Sequence, residues 1–188
     1  MFRMLMMAQK KSSDLLYSLI NYRCKGENAI VDTGVNLTDA PKDFTIYVDF
    51  MPLDITGPHI NIISQAMESG GYNGFTLRIR DGWYIQLASQ SLSIDDGSHF
   101  RVAERNKVAF SIASNGYMEM ACNGYISDGG SGGITWPSLY APDAKFCIGA
   151  GYGPDNETLF RYFTGLISEC KIWSKVMTRE ELEKITQL

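Results

Sequence analysis

The sequence is short of basic residues and lacks any long apolar run, and each shortage excludes a class of protein. Its 17 Lys and Arg face 21 Asp and Glu, for a formal charge of −4, and the basic residues form no run. A nucleic-acid partner held by phosphate contacts is therefore excluded. The apolar run from Met4 to Ala8 is too short for a secretory signal, and no stretch reaches the ~18 apolar residues of a membrane span. We expect a chain made in the cytoplasm, without membrane insertion.

Cysteine and histidine are too sparse for a transition-metal site. The sequence has four cysteines: Cys24, Cys122, Cys147 and Cys170. Their spacing fits neither a zinc site nor a CxxC redox pair, so we expect four reduced, mostly buried thiols. His59 and His99 have no second ligand at metal spacing. The sequence requires no cofactor.

The chain does contain many short runs with a period of two. Four apolar residues alternate with polar ones in one such run: Phe44, Ile46, Val48 and Phe50. From Asn28 onward such runs are bounded by Gly, Pro, Asn and Asp, which is typical of antiparallel strands. The sequence therefore predicts an all-β protein.

Side-chain parity predicts the turn of one hairpin. A three-residue loop from Asp81 to Trp83 pairs Ile79 with Ile85, whereas a two-residue loop would mix core and solvent faces. We therefore expect Trp83 at an exposed hairpin tip.

The same argument applies to residues 108–122. A loop from Asn115 to Tyr117 would pair Ile112 with Met120 and place Cys122 opposite Phe110 in the core. Cys122 is then a core residue.

The two ends of the chain carry helix signals. After Ser13 and Asp14, four apolar residues follow at helical spacing: Leu15, Leu16, Leu19 and Ile20. They predict a helical N-terminal arm over residues 1–28, which either packs on the domain or docks on a partner chain. Near the other end, Thr178 and Glu181 form a capping box, which predicts a short C-terminal helix.

The run from Phe163 to Leu182 resembles the closing strand and helix of the laminin-G-like, concanavalin A-like jelly roll. It reads Phe-Thr-Gly-Leu-Ile-Ser-Glu-Cys-Lys-Ile-Trp and then Thr-Arg-Glu-Glu-Leu. The family pattern has Asp where Ser168 stands and Val where Cys122 and Cys170 stand. Three earlier segments agree in order. The resemblance implies an antiparallel β-sandwich over residues 29–188, after an arm of residues 1–28.

Glycoside hydrolases share this fold, so hydrolysis needs a separate test. Their retaining members carry two carboxylates in a Glu-x-Asp-x-x-Glu run on one strand. Glu104, Glu119 and Glu169 are each isolated in this sequence. We expect no enzymatic activity, and a glucanase-like hydrolase ranks third among the hypotheses.

Aromatic residues in loop-like segments are the candidate ligand-binding residues: Trp83, Trp136, Tyr140 and Tyr152. Such residues stack on sugar rings or anchor protein interfaces, although they also pack loops onto a sandwich. The leading hypothesis is a non-catalytic, lectin-like module that binds a glycan or a protein surface, as in adhesion.

Calcium is a candidate cofactor, because related jelly rolls bind it and hard cations take clustered loop oxygens. The candidate ligands lie in two turn-rich segments: Asp95, Asp96, Asp155, Asn156 and Glu157. The alternative is that these residues cap turns in solvent.

The runner-up hypothesis is a structural role. A chain with an N-terminal arm and a lectin-like body would suit a decorating or receptor-facing component of a bacteriophage virion. In that case residues 1–28 would attach it to a homo-oligomer or a larger assembly.

Overall fold

The computed structural model describes residues 14–26, 31–69, 71–89, 93–127, 132–133, 140–141, 143–153, 155 and 157–188. They form two facing β-sheets, called sheet A and sheet B. Sheet A contains β1 (Leu15–Lys25), β3 (Phe44–Asp54), β8 (Asn106–Ile112), β9 (Tyr117–Cys122), β10 (Tyr125–Ile126), β11 (Gly132–Gly133) and β15 (Thr164–Trp173). Sheet B contains β2 (Val31–Asp32), β4 (His59–Ser69), β5 (Gly71–Arg80), β6 (Tyr84–Ala88), β7 (Ser93–Asp96), β12 (Cys147–Ile148), β13 (Gly151–Tyr152) and β14 (Leu159–Phe160).

The strand order confirms the predicted antiparallel β-sandwich of the jelly-roll type. Sheet A runs β1-β15-β3-β8-β9-β10, with β11 beside β9. Sheet B runs β14-β13-β4-β5-β6-β7, with β12 joining β2 to β4. Every described pairing is antiparallel except the single bridge between β13 and β4.

Aromatic side chains fill the space between the sheets. Phe75 of β5 lies at the centre, with ring centroids 5.4 Å from Phe44, 5.7 Å from Phe110 and 5.8 Å from Phe146. All four rings are fully buried, and each contributes about 1.5–3 kcal/mol relative to exposure in water. The period-two alternation aims these residues inward and leaves the outer faces to other side chains.

The β5–β6 turn confirms the parity argument. Ile79 pairs with Ile85, and residues 81–83 form the loop. Asp81 and Gly82 both have positive φ, 54° and 72°, which a tight hairpin turn requires. Trp83 is 70% exposed at the tip.

The predicted β8–β9 pairing is wrong by two residues, although its parity is right. Ile112 pairs with Met118 instead of Met120, and Val108 pairs with Cys122. The loop begins one residue earlier than predicted, because Gly116 with φ 87° closes a turn on the carbonyl of Ala113. A shift of the loop by one residue moves each pair by two, so Cys122 stays in the core.

The predicted N-terminal helix is wrong over the described residues 15–25. They form β1, which pairs with β15 from Leu15 opposite Trp173 to Lys25 opposite Thr164. Leu19 and Cys24 are buried against the core, whereas Leu16 and Ile20 lie on the outer face. Ladder hydrogen bonds and this burial outweigh a weak helical pattern. The rest of the predicted arm, residues 1–13 and 27–28, lies outside the described residues.

The C-terminal helix is confirmed as α1 (Arg179–Thr186). Its first turn carries the predicted capping box, in which Thr178 and Glu181 exchange hydrogen bonds. Leu182 packs with Met177 on the outer face of sheet A. Among the described residues, no helix has the length and apolar character that a membrane span needs.

The four thiols are free and buried, as predicted. Burial raises the pKa of Cys24 and Cys147 to about 12. Burial also raises the pKa of Cys122, and it raises that of Cys170 to about 12. These thiols are therefore core side chains that stay protonated at neutral pH.

Candidate functional site

The outer face of sheet B carries rows of polar side chains across adjacent strands. In one row Asn61 of β4 lies opposite Arg78 of β5, which lies opposite Gln86 of β6. The Arg78 Nε donates to Gln86 Oε1 at 2.6 Å. Since opposite residues of an antiparallel pair share a face, this row forms a continuous polar strip.

A second row lies beside the β5–β6 turn. His59 of β4 is opposite Arg80, and Arg80 is opposite Tyr84. The Arg80 guanidinium carbon lies 5.1 Å from the centre of the Tyr84 ring, a cation–π distance. Trp83 precedes Tyr84, so the exposed turn adjoins this end of the polar face.

Arg161 joins these rows from a distant part of the chain. Its carbonyl accepts the backbone N–H of Asn61 at 2.8 Å, which fixes residue 161 beside β4. Arg161 has φ 56°, a left-handed conformation that costs a non-glycine residue about 1–2 kcal/mol. Strained backbone of this kind is often found at functional sites.

The neighbouring arginines affect the pKa of His59. Burial is the largest cause that lowers the His59 pKa, and the positive charges of Arg78 and Arg161 lower it further. Arg80 acts in the same direction, while Asp81 opposes it. Three guanidinium groups therefore lie near enough to one imidazole to lower its pKa, in a chain whose net charge is −4. We call Arg78, Arg80, Arg161 and His59 the basic cluster.

A buried amide lies beside the basic cluster. Asn61 is fully buried, and neither its Oδ1 nor its Nδ2 has a hydrogen-bond partner among the described residues. Gly151 of β13 makes room for it, since a Cβ at residue 151 would lie 2.3 Å from Asn61 Nδ2. A buried amide without partners costs about 1–3 kcal/mol, so this recess retains unused hydrogen-bonding capacity.

The structure separates the four predicted aromatic residues. Trp83 is exposed beside the basic cluster, and Tyr140 is exposed elsewhere. Trp136 lies outside the described residues. The prediction of Tyr152 as an exposed loop residue is wrong, because it is a buried β13 residue that packs with Cys147 and Ala150.

The first pair of candidate calcium ligands is engaged by protein groups. Asp95 Oδ2 lies 3.3 Å from the Arg80 guanidinium. Asp96 is buried and accepts hydrogen bonds from the backbone N–H groups of Ser98 and His99, from His99 Nδ1 and from the Ser127 hydroxyl. Asp96 therefore organises its own turn.

The second group of candidate calcium ligands also lies in a turn. Asp155 accepts the N–H groups of Glu157 and Thr158 and the Thr158 hydroxyl. These bonds lower its pKa to about 2. Asn156 lies outside the described residues. No group of three or more His, Cys, Asp or Glu in the described part of the chain could hold a metal ion.

The three isolated glutamates each have a basic partner. Glu119 lies 2.8 Å from the Arg179 guanidinium, and Glu169 lies 2.6 Å from the Lys171 ammonium. Glu104 lies 3.7 Å from a guanidinium nitrogen of Arg101. Each of these carboxylates is therefore neutralised by a neighbouring basic side chain.

A shallow groove lies at the opposite sheet, beside α1. The His99 ring stacks on Tyr125 with centroids 4.4 Å apart, and Arg179, Glu180 and Glu183 complete the lining. The two glutamates outnumber the one arginine, so this groove has the opposite charge balance to the basic cluster.

Two comparisons with known proteins bear on the fold. The family model of the concanavalin A-like lectin/glucanases superfamily matches residues 25–183. The chain belongs to this superfamily. No protein of established function matches its sequence closely enough to serve as a relative.

Solved structures share the fold of this chain at low identity. A carbohydrate-binding module, the CBM40 of a Ruminococcus gnavus sialidase bound to α2,3-sialyllactose, is 14% identical with a TM-score of 0.70; the match covers 92% of this chain and 98% of that module. A leech intramolecular trans-sialidase is 16% identical with a TM-score of 0.72. A Streptococcus pneumoniae NanB sialidase is 16% identical with a TM-score of 0.70. This chain is matched over 93% of its length by both enzymes but spans only 28% of each.

Sequence reasoning missed the basic cluster. It considered His59 only as a metal ligand and gave Arg78, Arg80 and Arg161 no functional role. The usable signal was the spacing of the two arginines on one face of β5. No local pattern could have placed Arg161 beside β4, because that proximity comes from the strand order.

Proposed function

We propose that this chain is a non-catalytic glycan-binding module that recognises an acidic sugar at the basic cluster. The observation that carries the proposal is the placement of three arginines beside His59: Arg80 lies opposite His59, Arg78 lies opposite Asn61, and the Arg161 backbone bonds to Asn61. Guanidinium groups bind carboxylates through charge-assisted hydrogen bonds, often in a bidentate geometry. These guanidinium groups would therefore attract the carboxylate of an acidic sugar and also fix its orientation.

The surroundings of the cluster supply what a sugar ring needs. Tyr84 and Trp83 are exposed aromatic residues at the adjoining turn, and aromatic faces pack against the apolar side of a pyranose ring. The buried Gln86 side chain orients Arg78, because its Oε1 accepts the Arg78 Nε. The basic cluster would hold the carboxylate while the turn contacts the ring.

The comparisons support the choice of sugar and the absence of catalysis. The Ruminococcus gnavus module, which this chain covers almost completely, is seen with sialyllactose, whose terminal sugar carries a carboxylate. The sialidases are more than three times longer than the matched region. The lack of a paired-carboxylate run adds to the case for a binding module.

Isothermal titration with α2,3-sialyllactose and with lactose tests the proposal. We expect binding of sialyllactose and none of lactose, because only the first carries the carboxylate. Arg78→Gln should weaken binding at least tenfold, or about 1.4 kcal/mol. Arg101→Gln is the matched control, since Arg101 is exposed with one weak ion pair, and it should leave the affinity unchanged.

Three results would contradict the proposal: no binding of either sugar, equal binding of both, or equal loss in the two variants. Repeating the titration with calcium and with a chelator tests the calcium prediction separately. Unchanged affinity in chelator would remove calcium from the binding reaction.

The structural alternative retains one observation in its favour. The long outer edge of β1 has no strand partner among the described residues, which suits self-association. The virion role itself stays a prediction.

A further inference from the structure

The outer edge of β1 is unusual among the edges of the two sheets. Along the described strand orders, the other terminal strands are β10, β7 and β14, with two, four and two residues. β1 has 11 residues and pairs, in the described chain, with β15 alone. A long unpaired edge presents a row of backbone donors and acceptors to another strand.

The first half of this edge has neither proline nor a charged side chain. Natural edge strands carry proline, inward charges or lysines that block a second strand. In β1 the charged residues Arg23 and Lys25 stand only at its carboxyl end. Its first half instead exposes two large apolar side chains, Leu16 at 46% and Ile20 at 54%.

Two irregularities limit the straight part of the strand. The register with β15 shifts between Leu15 and Tyr17, and Asn21 has φ 54°. From Tyr17 to Ile20 the register with β15 is unbroken, with Tyr17 and Leu19 on the core side and Ser18 and Ile20 facing outward. Leu16 lies at the shift itself and is exposed. Residues 16–20 are therefore the segment that a further strand can follow.

We propose that two copies of this chain dimerise through antiparallel pairing of their β1 edges, with the two-fold axis at Ser18. Paired residues must share a face, so the two residue numbers of each pair must have an even sum within this segment. A sum of 36 is the register that places Leu16 opposite Ile20 of the second copy, twice. Both exposed apolar residues are then covered by each other.

The same register is self-complementary, because each copy supplies Leu16 to Ile20 of the other. The contact is isologous, as expected for a closed two-fold dimer. A second copy therefore pairs with the open edge and covers the exposed apolar residues in one arrangement.

The dimer would have a consequence for ligand binding, which rests on the proposed glycan function. A two-fold axis perpendicular to sheet A keeps the same face up in both copies. The two basic clusters would then face the same side, so a surface that carries many acidic sugars would engage both. The dimer itself is tested without any sugar.

The first test measures mass by light scattering over a concentration series from micromolar to sub-millimolar. We expect the wild-type mass to rise toward twice the monomer value, and the double variant Leu16→Lys with Ile20→Lys to stay monomeric. Leu53→Lys is the matched control, because Leu53 is equally exposed but lies near the end of the interior strand β3. A monomeric wild type, or a double variant that still dimerises, would overturn the proposal.

The second test reads the register directly and does not depend on the stability of the lysine variant. At the two-fold axis Ser18 faces itself, with Cβ atoms about 4.5–5.5 Å apart, so Ser18→Cys should form an intermolecular disulfide on mild oxidation. Arg23→Cys, exposed on the same strand but off the axis, should not. The native thiols are buried and do not compete. Equal cross-linking of the two variants, or none in Ser18→Cys, would overturn the register.

Discussion

The two outer faces of the sandwich differ in what lies on them. Sheet A is covered over β8, β9 and β10 by α1, whose Leu182 packs with Tyr47, Ala109 and Ala121. Sheet B instead has an arginine-rich face with the buried Asn61 amide, which has no hydrogen-bond partner in the described part of the chain. The same architecture thus uses one outer face for stability and leaves the other polar, which explains why the candidate site lies on sheet B.

On sheet A, a small network of hydrogen bonds holds the segment that precedes α1 against the strands. The Thr45 and Ser111 hydroxyls lie 2.8 Å apart on sheet A, and both accept the backbone N–H of Met177. The Thr45 hydroxyl also donates to the Lys175 carbonyl. These bonds fix the chain between β15 and α1, so the helix meets the sheet in one position.

The largest effect should come from Leu182→Ala, which removes the apolar anchor of α1. Leu182 is fully buried, and truncation of such a residue costs about 2–5 kcal/mol. Urea unfolding measures the loss. Trp83→Ala, at the exposed tip of the sheet B face, should change stability by less than about 0.5 kcal/mol. Similar costs for the two variants would contradict the distinction between the faces.

A smaller effect is expected for Gly151→Ala on the sheet B side. The new Cβ would lie 2.3 Å from Asn61 Nδ2 and 3.6 Å from the Ser64 hydroxyl, and overpacking of this kind costs about 1–3 kcal/mol. Thermal unfolding measures the cost. Adding Asn61→Ala to Gly151→Ala should recover part of it, because the clash is with the Asn61 amide. A double variant with the summed costs of the single ones would show that the two residues do not interact.

The smallest effect concerns pH and His59. Its pKa is lowered in the folded protein, so the unfolded chain binds the proton more readily below about pH 6.5. His59 therefore reduces stability as the pH falls through that value, and its contribution levels off below the folded pKa. His59→Gln should flatten the pH dependence of Tm between neutral and mildly acidic buffers. Parallel wild-type and variant profiles would contradict the lowered pKa of His59.

Local patterns in the sequence were sufficient for β3, for the β5–β6 turn and for the capped helix. Alternation at Phe44–Phe50 and the turn at Asp81–Trp83 both depend on neighbouring residues, and both are confirmed. The β1 segment was misread because Leu16 and Ile20 are apolar on its outer face. Two apolar outer positions hide the period of two and imitate a helical stripe.

The candidate site was less accessible to prediction than the fold. Its residues come from β4, from β5 and from residue 161, and only the strand order brings them together. Aromatic residues were the more visible signal, yet Tyr152 is buried, and of the predicted aromatic residues in the described part of the chain Trp83 is the one that adjoins the basic cluster. Charged residues that the strand order brings together from distant positions form no local motif in the sequence.

The position of β15 between β1 and β3 has a consequence for folding during synthesis. Both β1 and β3 pair with β15, so sheet A cannot close until residues 164–173 have been synthesised. Sheet B hairpins such as β4–β5–β6 need only local contacts and can form as soon as they leave the ribosome. A nascent chain stalled before residue 164 would therefore expose two unpaired strand edges and invite misassembly, whereas one released after residue 173 would complete the sandwich in a single late step.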